Sequence, residues 1–239
     1  MGNLDYTGYL EWKNWSSAEF GLCSREDALY YACECAQSGL YDTRGVKVLE
    51  IGFGNGSFAG WVSGKGAKYF GLEAIHDLVD IGRTQGYLTY DSDTPLSEIT
   101  EAGSVDLVVA FDVFEHLELE VLISTLRDIF DSMKKGAVLL MRVPSGDSPF
   151  SRAIQHGDLT HRLVLGSSAA RQLAVSAGFE VISVRPPALP LWGLGISSFL
   201  RRSLVAGLRC IIYSLISNVL MDGKKPVLSP NMVCVFRKA

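Results

Sequence analysis

The sequence has little with which to staple or span. Its five cysteines, Cys23, Cys33, Cys35, Cys210 and Cys234, show no metal-ligand spacing. Cys33 and Cys35 fall in a helical pattern that points them to different faces. An odd cysteine count without a signal-peptide pattern predicts reduced thiols and a cytoplasmic location. There is no internal repeat and no low-complexity segment. The apolar stretch at 190–222 carries Arg209 at its middle, which argues against a membrane span of about 20 apolar residues. Positive charge is scarce over most of the chain. The net charge is −4, but residues 185–239 hold eight Lys/Arg against Asp222 alone, so this tail carries +7 and the remainder −11. The acidic body offers no basic groove for nucleic acid. The basic, apolar tail raises the question of an anionic surface.

The chain is rich in apolar residues, at 48%, enough for one α/β domain with appendages. Strand patterns near 46–51, 68–73, 87–90, 105–111, 136–143, 179–185 and 231–237 alternate with helical ones near 57–64, 77–84, 117–134 and 167–177. Ser24 followed by Asp27 starts a further capped helix that runs to about Ser38. The alternation predicts a mostly parallel sheet with helices on both faces. Four regions follow: an aromatic segment and helix at 1–45, a core at 46–189, an apolar basic helical insertion at 190–229 and a final strand at 230–239. The N-terminal aromatics Tyr6, Tyr9, Trp12, Trp15 and Phe20 serve as a lid over a ligand or as cover for the sheet.

The most informative stretch is Val46-Lys-Val-Leu-Glu-Ile-Gly-Phe-Gly-Asn-Gly-Ser57. An apolar strand ends in Glu50, and glycine follows at every second position. Gly52, Gly54 and Gly56 let the backbone turn sharply and approach a ligand closely. A helix starts directly after, which completes a nucleotide-type site. Glu50 opposes a phosphate, because a carboxylate in a phosphate cradle repels it. The third glycine also comes one place too early for a dinucleotide fingerprint. The next strand ends in Glu73, 21 positions after Gly52, where a carboxylate can accept from both ribose hydroxyls of an adenosine. Then Val105 to His116 gives a buried strand with Asp112, Glu115 and His116 at its carboxyl end.

These segments, in this order, resemble motifs of the class I S-adenosylmethionine-dependent methyltransferases. Glu50 to Gly56 is similar to motif I, Phe111 to His116 to motif IV, and Lys135 to Pro144 to the fifth strand. The likeness covers roughly residues 45–185. It implies a seven-stranded Rossmann-like sheet whose last strand runs antiparallel between the fifth and sixth. It implies S-adenosylmethionine as cofactor, with Glu50, Gly52, Phe53, Gly54 and Gly56 on the methionine side and Glu73 on the ribose. Asp91, with Asp93 as alternate, is expected at the adenine edge, and Phe111 and Asp112 close the site. The runs at 112–117, 142–150, 157–161 and 177–181 together are similar to a bacterial group associated with surface-glycan and polysaccharide biosynthesis. That likeness implies O-methylation of a sugar hydroxyl on a small-molecule or glycan acceptor. A quinone or other small aromatic is the alternative acceptor. A module that holds the cofactor without turnover is the alternative class, and a nicotinamide oxidoreductase is disfavoured by the glycine spacing.

A hydroxyl acceptor needs a base near the ends of strands four and five. His161 is the first candidate, with Asp158 three residues before it to orient or charge-stabilise it; His116 is the second. Asp112, Glu115 and His116 also form part of an oxygen-rich divalent site, yet a metal-free site is the expectation. Arg142 and Arg152 are candidates for an anionic acceptor or for ion pairs. In the tail, Leu200, Leu204, Leu208, Ile211, Leu215 and Val219 recur at helical spacing. A helical hairpin over the domain, a homodimer seam and an interfacial helix at 196–220 on the inner face of a membrane are the readings open for this stripe.

Overall fold

A computed structural model describes residues 8–13 and 15–239. Seven strands, β1 (Lys47–Ile51), β2 (Lys68–Glu73), β3 (Thr89–Asp91), β4 (Val105–Phe111), β5 (Met133–Pro144), β6 (Phe179–Arg185) and β7 (Asn231–Lys238), form one sheet in the order β3-β2-β1-β4-β5-β7-β6. The first five pair in parallel, and β7 runs antiparallel to both neighbours. The helices are α1 (Tyr9–Trp12), α2 (Arg25–Gln37), α3 (Ser57–Ser63), α4 (His76–Thr84), α5 (Leu96–Ile99), α6 (Leu119–Ser132), α7 (Arg152–Gln155), α8 (Ser167–Ser176) and α9 (Ile196–Leu220). The expected Rossmann-like sheet with its inserted antiparallel last strand is the observed one.

The period of two along the strands builds the two core layers. Val48, Leu107 and Val109 turn to one face and pack with Phe58, Ala59 and Val62 of α3. Leu49, Val108 and Ala110 turn to the other and pack with Leu122, Leu126 and Ile129 of α6. Strand order reverses between β1 and β4, and a crevice opens outside their carboxyl ends. The Ser24 cap of α2 forms as expected, its hydroxyl accepting from the Asp27 N–H at 3.0 Å. α2 is fixed to the far side of the chain by Glu34. That carboxylate is fully buried, 2.6 Å from Arg185, and accepts from the Ala188 N–H at 2.7 Å.

Two expectations need correction. The tail is not a hairpin: residues 196–220 form one continuous helix. Gly207 is the only conventional breaker inside it, and a single mid-helix glycine costs only about 1 kcal/mol. α6 ends at Ser132 rather than 134, because Met133 is already paired with Val105 and buried. Of the N-terminal aromatics, Tyr6 lies outside the described residues, as does the Tyr9 side chain. Phe20 is buried against Phe53 and Tyr87.

Gly60 of α3 makes the closest backbone approach in this region. A Cβ there would stand 1.9 Å from the Gly21 carbonyl oxygen. Gly21 in turn donates to the Asn55 carbonyl at 2.9 Å. Gly60→Ala is therefore expected to lose about 1–3 kcal/mol of stability in denaturant unfolding, because backbone rather than a flexible side chain must give way.

Candidate active site

A cavity of about 810 Å³ lies over the carboxyl ends of β1, β2 and β4, with Trp12, Lys13 and Trp15 on its N-terminal side and the 153–161 segment opposite. The N-terminal segment thus contributes to the cavity wall as well as to the packing around Phe20.

The β1–α3 turn is shaped by close approach. Gly52 has φ +69°, and a Cβ there would meet Val113 at 2.3 Å; at Gly54 it would meet the Trp15 ring at 2.8 Å. Gly52, Phe53 and Gly54 line the cavity. Gly56 does not: it is the N-cap of α3 at φ 73°, with the Phe20 ring where a side chain would go, so it serves the turn rather than a ligand. Glu50 lines the cavity from beneath and accepts the Tyr69 hydroxyl at 2.7 Å. Burial, reinforced by nearby Glu73, holds its carboxyl well above the usual carboxylate range.

Glu73 is held by its own backbone. Its Oε2 accepts from Gly54 N–H at 2.9 Å, and its Oε1 from Ala74 at 2.8 Å and Ile75 at 3.2 Å. A carboxylate has about four acceptor sites, so lone pairs remain for hydroxyls in the cavity. Asp91 is turned elsewhere. His76 of α4 sits 2.7 Å from its carboxylate and Arg83 3.5 Å, and Asp91 is not part of the cavity wall. Ser92, Asp93 and Thr94 take the expected place, which replaces Asp91 by Asp93 at that edge.

Phe111 and Asp112 lie at the centre of the wall. Asp112 adopts φ 57°, rare for a non-glycine residue. Its carboxylate takes both arms of the Arg142 guanidinium from the adjacent strand end. Arg142 lies 5.3 Å over the Tyr30 ring and 5.2 Å over Phe111. Arg142 is thus an intraprotein ion pair rather than an anion hook. Arg152 is exposed and stands outside the wall.

The two imidazoles meet here. His116 ends a 3₁₀ turn at Phe114–His116, and the Glu115 carbonyl in that turn accepts from Arg162 N–H at 2.8 Å and Leu163 N–H at 3.0 Å. Those two bonds bring the 158–163 loop to the end of β4. His116 and His161 then lie edge to face, 4.6 Å apart. Asp158 does not orient His161, as its sequence spacing suggested. It accepts the Thr160 hydroxyl at 2.5 Å, and Thr160 Oγ1 lies 2.8 Å from His116 Nδ1. The hydroxyl has one proton and gives it to the carboxylate, so Nδ1 of His116 donates and Nε2 keeps its lone pair. His161 Nδ1 donates to the Gln155 carbonyl at 3.2 Å, which leaves its Nε2 basic as well. Burial, then the facing His161, lowers the His116 pKa below that of a free imidazole. Burial would raise Asp158, but the Thr160 bonds and the two imidazoles hold it below the usual range. Lys13 stands 3.9 Å from Asp158. Thr160 is the residue sequence reading missed. Its signal was there: an Asp two residues before a Thr in a loop is a common local hydrogen-bonding pattern.

Glu115 completes the cluster. Its Oε2 is buried without a hydrogen-bond partner among the described residues. Burial, with Asp112 nearby, pushes its pKa up to about 8. Glu115, His116 and His161 place ligand atoms within 4.8 Å of one another, a set able to hold a divalent cation. The expected partial set of Asp112, Glu115 and His116 is therefore rearranged, with Asp112 committed to Arg142 and His161 in its place.

Residues 26–184 match a family model described as "Methyltransferase domain". The chain belongs to this methyltransferase family. No curated protein matches the sequence. Among solved structures it is similar to an S-adenosylmethionine-dependent methyltransferase from Archaeoglobus fulgidus, with TM-score 0.65 and 18% identity over 90% of this chain and 95% of that one. It is similar to another from Mesorhizobium loti, with TM-score 0.59 and 13% identity over 90% and 100% of the two chains. A TehB-like methyltransferase from Corynebacterium glutamicum gives TM-score 0.57 and 16% identity over 98% and 97%. At these identities the likeness is one of fold.

The methyltransferase cavity has a donor and acceptor set that fits S-adenosylmethionine. Glu73 and Asp93 would hold the nucleoside, and the backbone of Gly52 to Gly54 over Glu50 would hold the amino-acid end. Phe111, Asp112 and Val113 would stand against the sulfonium region.

Glu115 gives a stability test. Its folded pKa of about 8 lies above the unfolded value of 4.5, so the folded methyltransferase binds more protons between those two. Stability due to this group is full below pH 4.5 and is lost as pH rises through 8. Glu115→Gln, which cannot ionise, should therefore melt higher than the parent at pH 9 and near it at pH 5. Equal shifts at both pH values would show that the buried charge is not the cause.

Proposed function

We propose that this methyltransferase moves the methyl group of S-adenosylmethionine to an acceptor oxygen, a sugar hydroxyl in bacterial glycan or polysaccharide biosynthesis. The observation that carries the oxygen-acceptor reading is the Asp158–Thr160–His116 chain, which leaves an unprotonated imidazole nitrogen in the cavity wall beside His161. An alcohol is a poor nucleophile until it loses its proton, so a poised base is the group such a site needs. The cofactor supplies, when bound, an electrophilic methyl on a sulfonium. His116 takes the acceptor's proton at Nε2. The charge that develops on the ring is offset through Nδ1, Thr160 and the Asp158 carboxylate. His161 positions the acceptor hydroxyl. Glu73 and the 52–54 backbone fix the other end, so that the reacting atoms are held in line.

The sugar reading rests on the similarity of the 112–117, 142–150, 157–161 and 177–181 runs to the glycan-associated group. It carries with it a cytoplasmic location at the inner face of the membrane, where lipid-carried glycans are built. One observation favours a second reading, a metal-assisted enzyme for a quinone or other small aromatic: the unpartnered Glu115 oxygen beside two imidazoles.

These readings are open to direct measurement. Glu73→Ala should weaken S-adenosylhomocysteine binding by about 1–3 kcal/mol in calorimetry, through loss of charge-assisted bonds. His116→Ala should cut turnover on a sugar acceptor by about 10²-fold or more while leaving that affinity unchanged. The parent rate should fall as pH drops through the depressed His116 pKa and stay flat near neutrality, since only the neutral ring accepts a proton. Thr160→Val should move the acid limb still lower, because the imidazolium loses its link to Asp158. Activity destroyed by EDTA and restored by Mn²⁺, Mg²⁺ or Zn²⁺ would assign the cluster to a cation. Unchanged turnover in both His116→Ala and His161→Ala would remove the protein base altogether.

A further inference from the structure

α9 inverts the usual order of a helix on a soluble domain. Arg202 and Ser217 are its buried residues, and they mark the face against the protein. The opposite face carries Leu200, Leu204, Leu208, Ile211, Leu215 and Val219, and it points to solvent; Leu204 is 65% exposed and Val219 70%. At the amino end Trp192, 72% exposed, stacks on Phe199 with ring centroids 4.1 Å apart. Indole at the edge of an apolar stripe is the composition found where protein meets lipid headgroups.

The charges that α9 and the segment after it expose are mostly basic. Arg201, Arg209, Lys224 and Lys225 are exposed, and Asp222 is the only acid from residue 185 onward. Arg202, the third arginine of the stretch, does not contribute. It donates to the Pro190 carbonyl at 2.7 Å and pairs with Glu26.

By length and composition this helix is able to cross a membrane. Its anchors forbid that. Arg202 ties the amino-terminal part to Glu26 and Pro190. At the other end Gly223 donates to Ser217 and the Ser217 hydroxyl to Lys224, so the chain doubles back. By Val227 it is buried in the core beside β7. Arg202 and Ser217 are about 22 Å apart along the helix, less than the roughly 30 Å hydrocarbon core, and both face one folded body. The helix lies along the domain and shows the solvent its apolar side.

We infer that α9 docks the enzyme on an anionic lipid surface, with the helix parallel to the bilayer and its outward apolar face in the headgroup boundary. Charge selects this occupant over a second copy of the chain. An isologous seam would bring Arg201 and Arg209 of one copy toward those of the other, and α9 holds no acid to pair with them.

The test uses the intact protein and two vesicle types, phosphatidylcholine alone and phosphatidylcholine with phosphatidylglycerol. Co-sedimentation is expected only with the anionic vesicles. It should weaken as salt shortens the screening length toward about 8 Å. The Trp192 emission should shift to the blue on binding. Arg201→Ser and Arg209→Ser should each reduce partitioning about five-fold, and Leu204→Asp with Leu208→Asp should abolish it. A rise in melting temperature with S-adenosylhomocysteine shows that each variant is folded. Failure of the folded parent to sediment with anionic vesicles at low salt overturns the inference. So does a stable dimer in light scattering that Leu204→Asp converts to monomer.

Discussion

The site depends on one ion pair between the ends of two adjacent strands. Asp112 follows β4 in a left-handed conformation, and Arg142 near the end of β5 grips its carboxylate with both arms. A non-glycine residue is costly to keep at that φ, and such strain persists only where the surroundings over-determine it. Here they do. The guanidinium is fixed in turn over Tyr30 of α2 and Phe111 of β4. Val113, the next residue, fills the space that Gly52 leaves open, and Phe114 is buried without exposure. The turn that carries Glu115 and His116 therefore leaves β4 in one direction, and the β1–α3 turn is shaped to the same piece of backbone.

Two consequences follow for the chemistry of the cavity. Arg142 is committed to Asp112, so carboxyls and imidazoles dominate the wall, with Lys13 beside Asp158 at its N-terminal side. Burial separates their protonation behaviour: Glu115 is pushed up to about 8 and His116 is lowered. A carboxyl kept neutral next to an imidazole kept neutral is an environment suited to proton transfer rather than to binding phosphate. That agrees with Glu50 under the glycine loop, which is itself pushed toward its neutral form.

Periodicity and punctuation made most of the fold legible. Val48, Leu49 and the 105–111 run alternate between two buried faces, a pattern that both identifies the strands and requires helices on each side. Gly52 and Gly54 announced the turn because no other residue fits beneath Val113 and Trp15. What sequence could not give was the direction of side chains at strand ends. Asp91 and Asp93 are equivalent as letters, yet the His76 and Arg83 side chains of α4 draw Asp91 out of the cavity. Likewise Asp158 is three residues from His161 and two from Thr160. The loop curls so that Asp158 reaches Thr160, and the partner it serves is His116, 42 positions earlier. Such long-range pairings are set by the tertiary path of the loop, which the Glu115 carbonyl fixes from a distant turn. The tail shows the same limit. Helical spacing identified its apolar stripe, but the buried Arg202 and Ser217 show which way the stripe faces.

The place of β7 bears on how the chain is made. It follows every other strand in sequence, yet it lies inside the sheet, between β5 and β6. Val138 waits for Arg237 and Pro144 for Asn231. Until then the edge of β5 is open, and non-local pairing of this kind is slow to form and prone to wrong partners. Synthesis therefore makes the elements of this sheet in a definite order: β1 to β6 first, then the apolar basic helix, and then the strand that joins β6 to β5. α9 is synthesised before the strand that completes the sheet behind it. β7 is in this sense a keystone: without it β6 has no partner in the sheet.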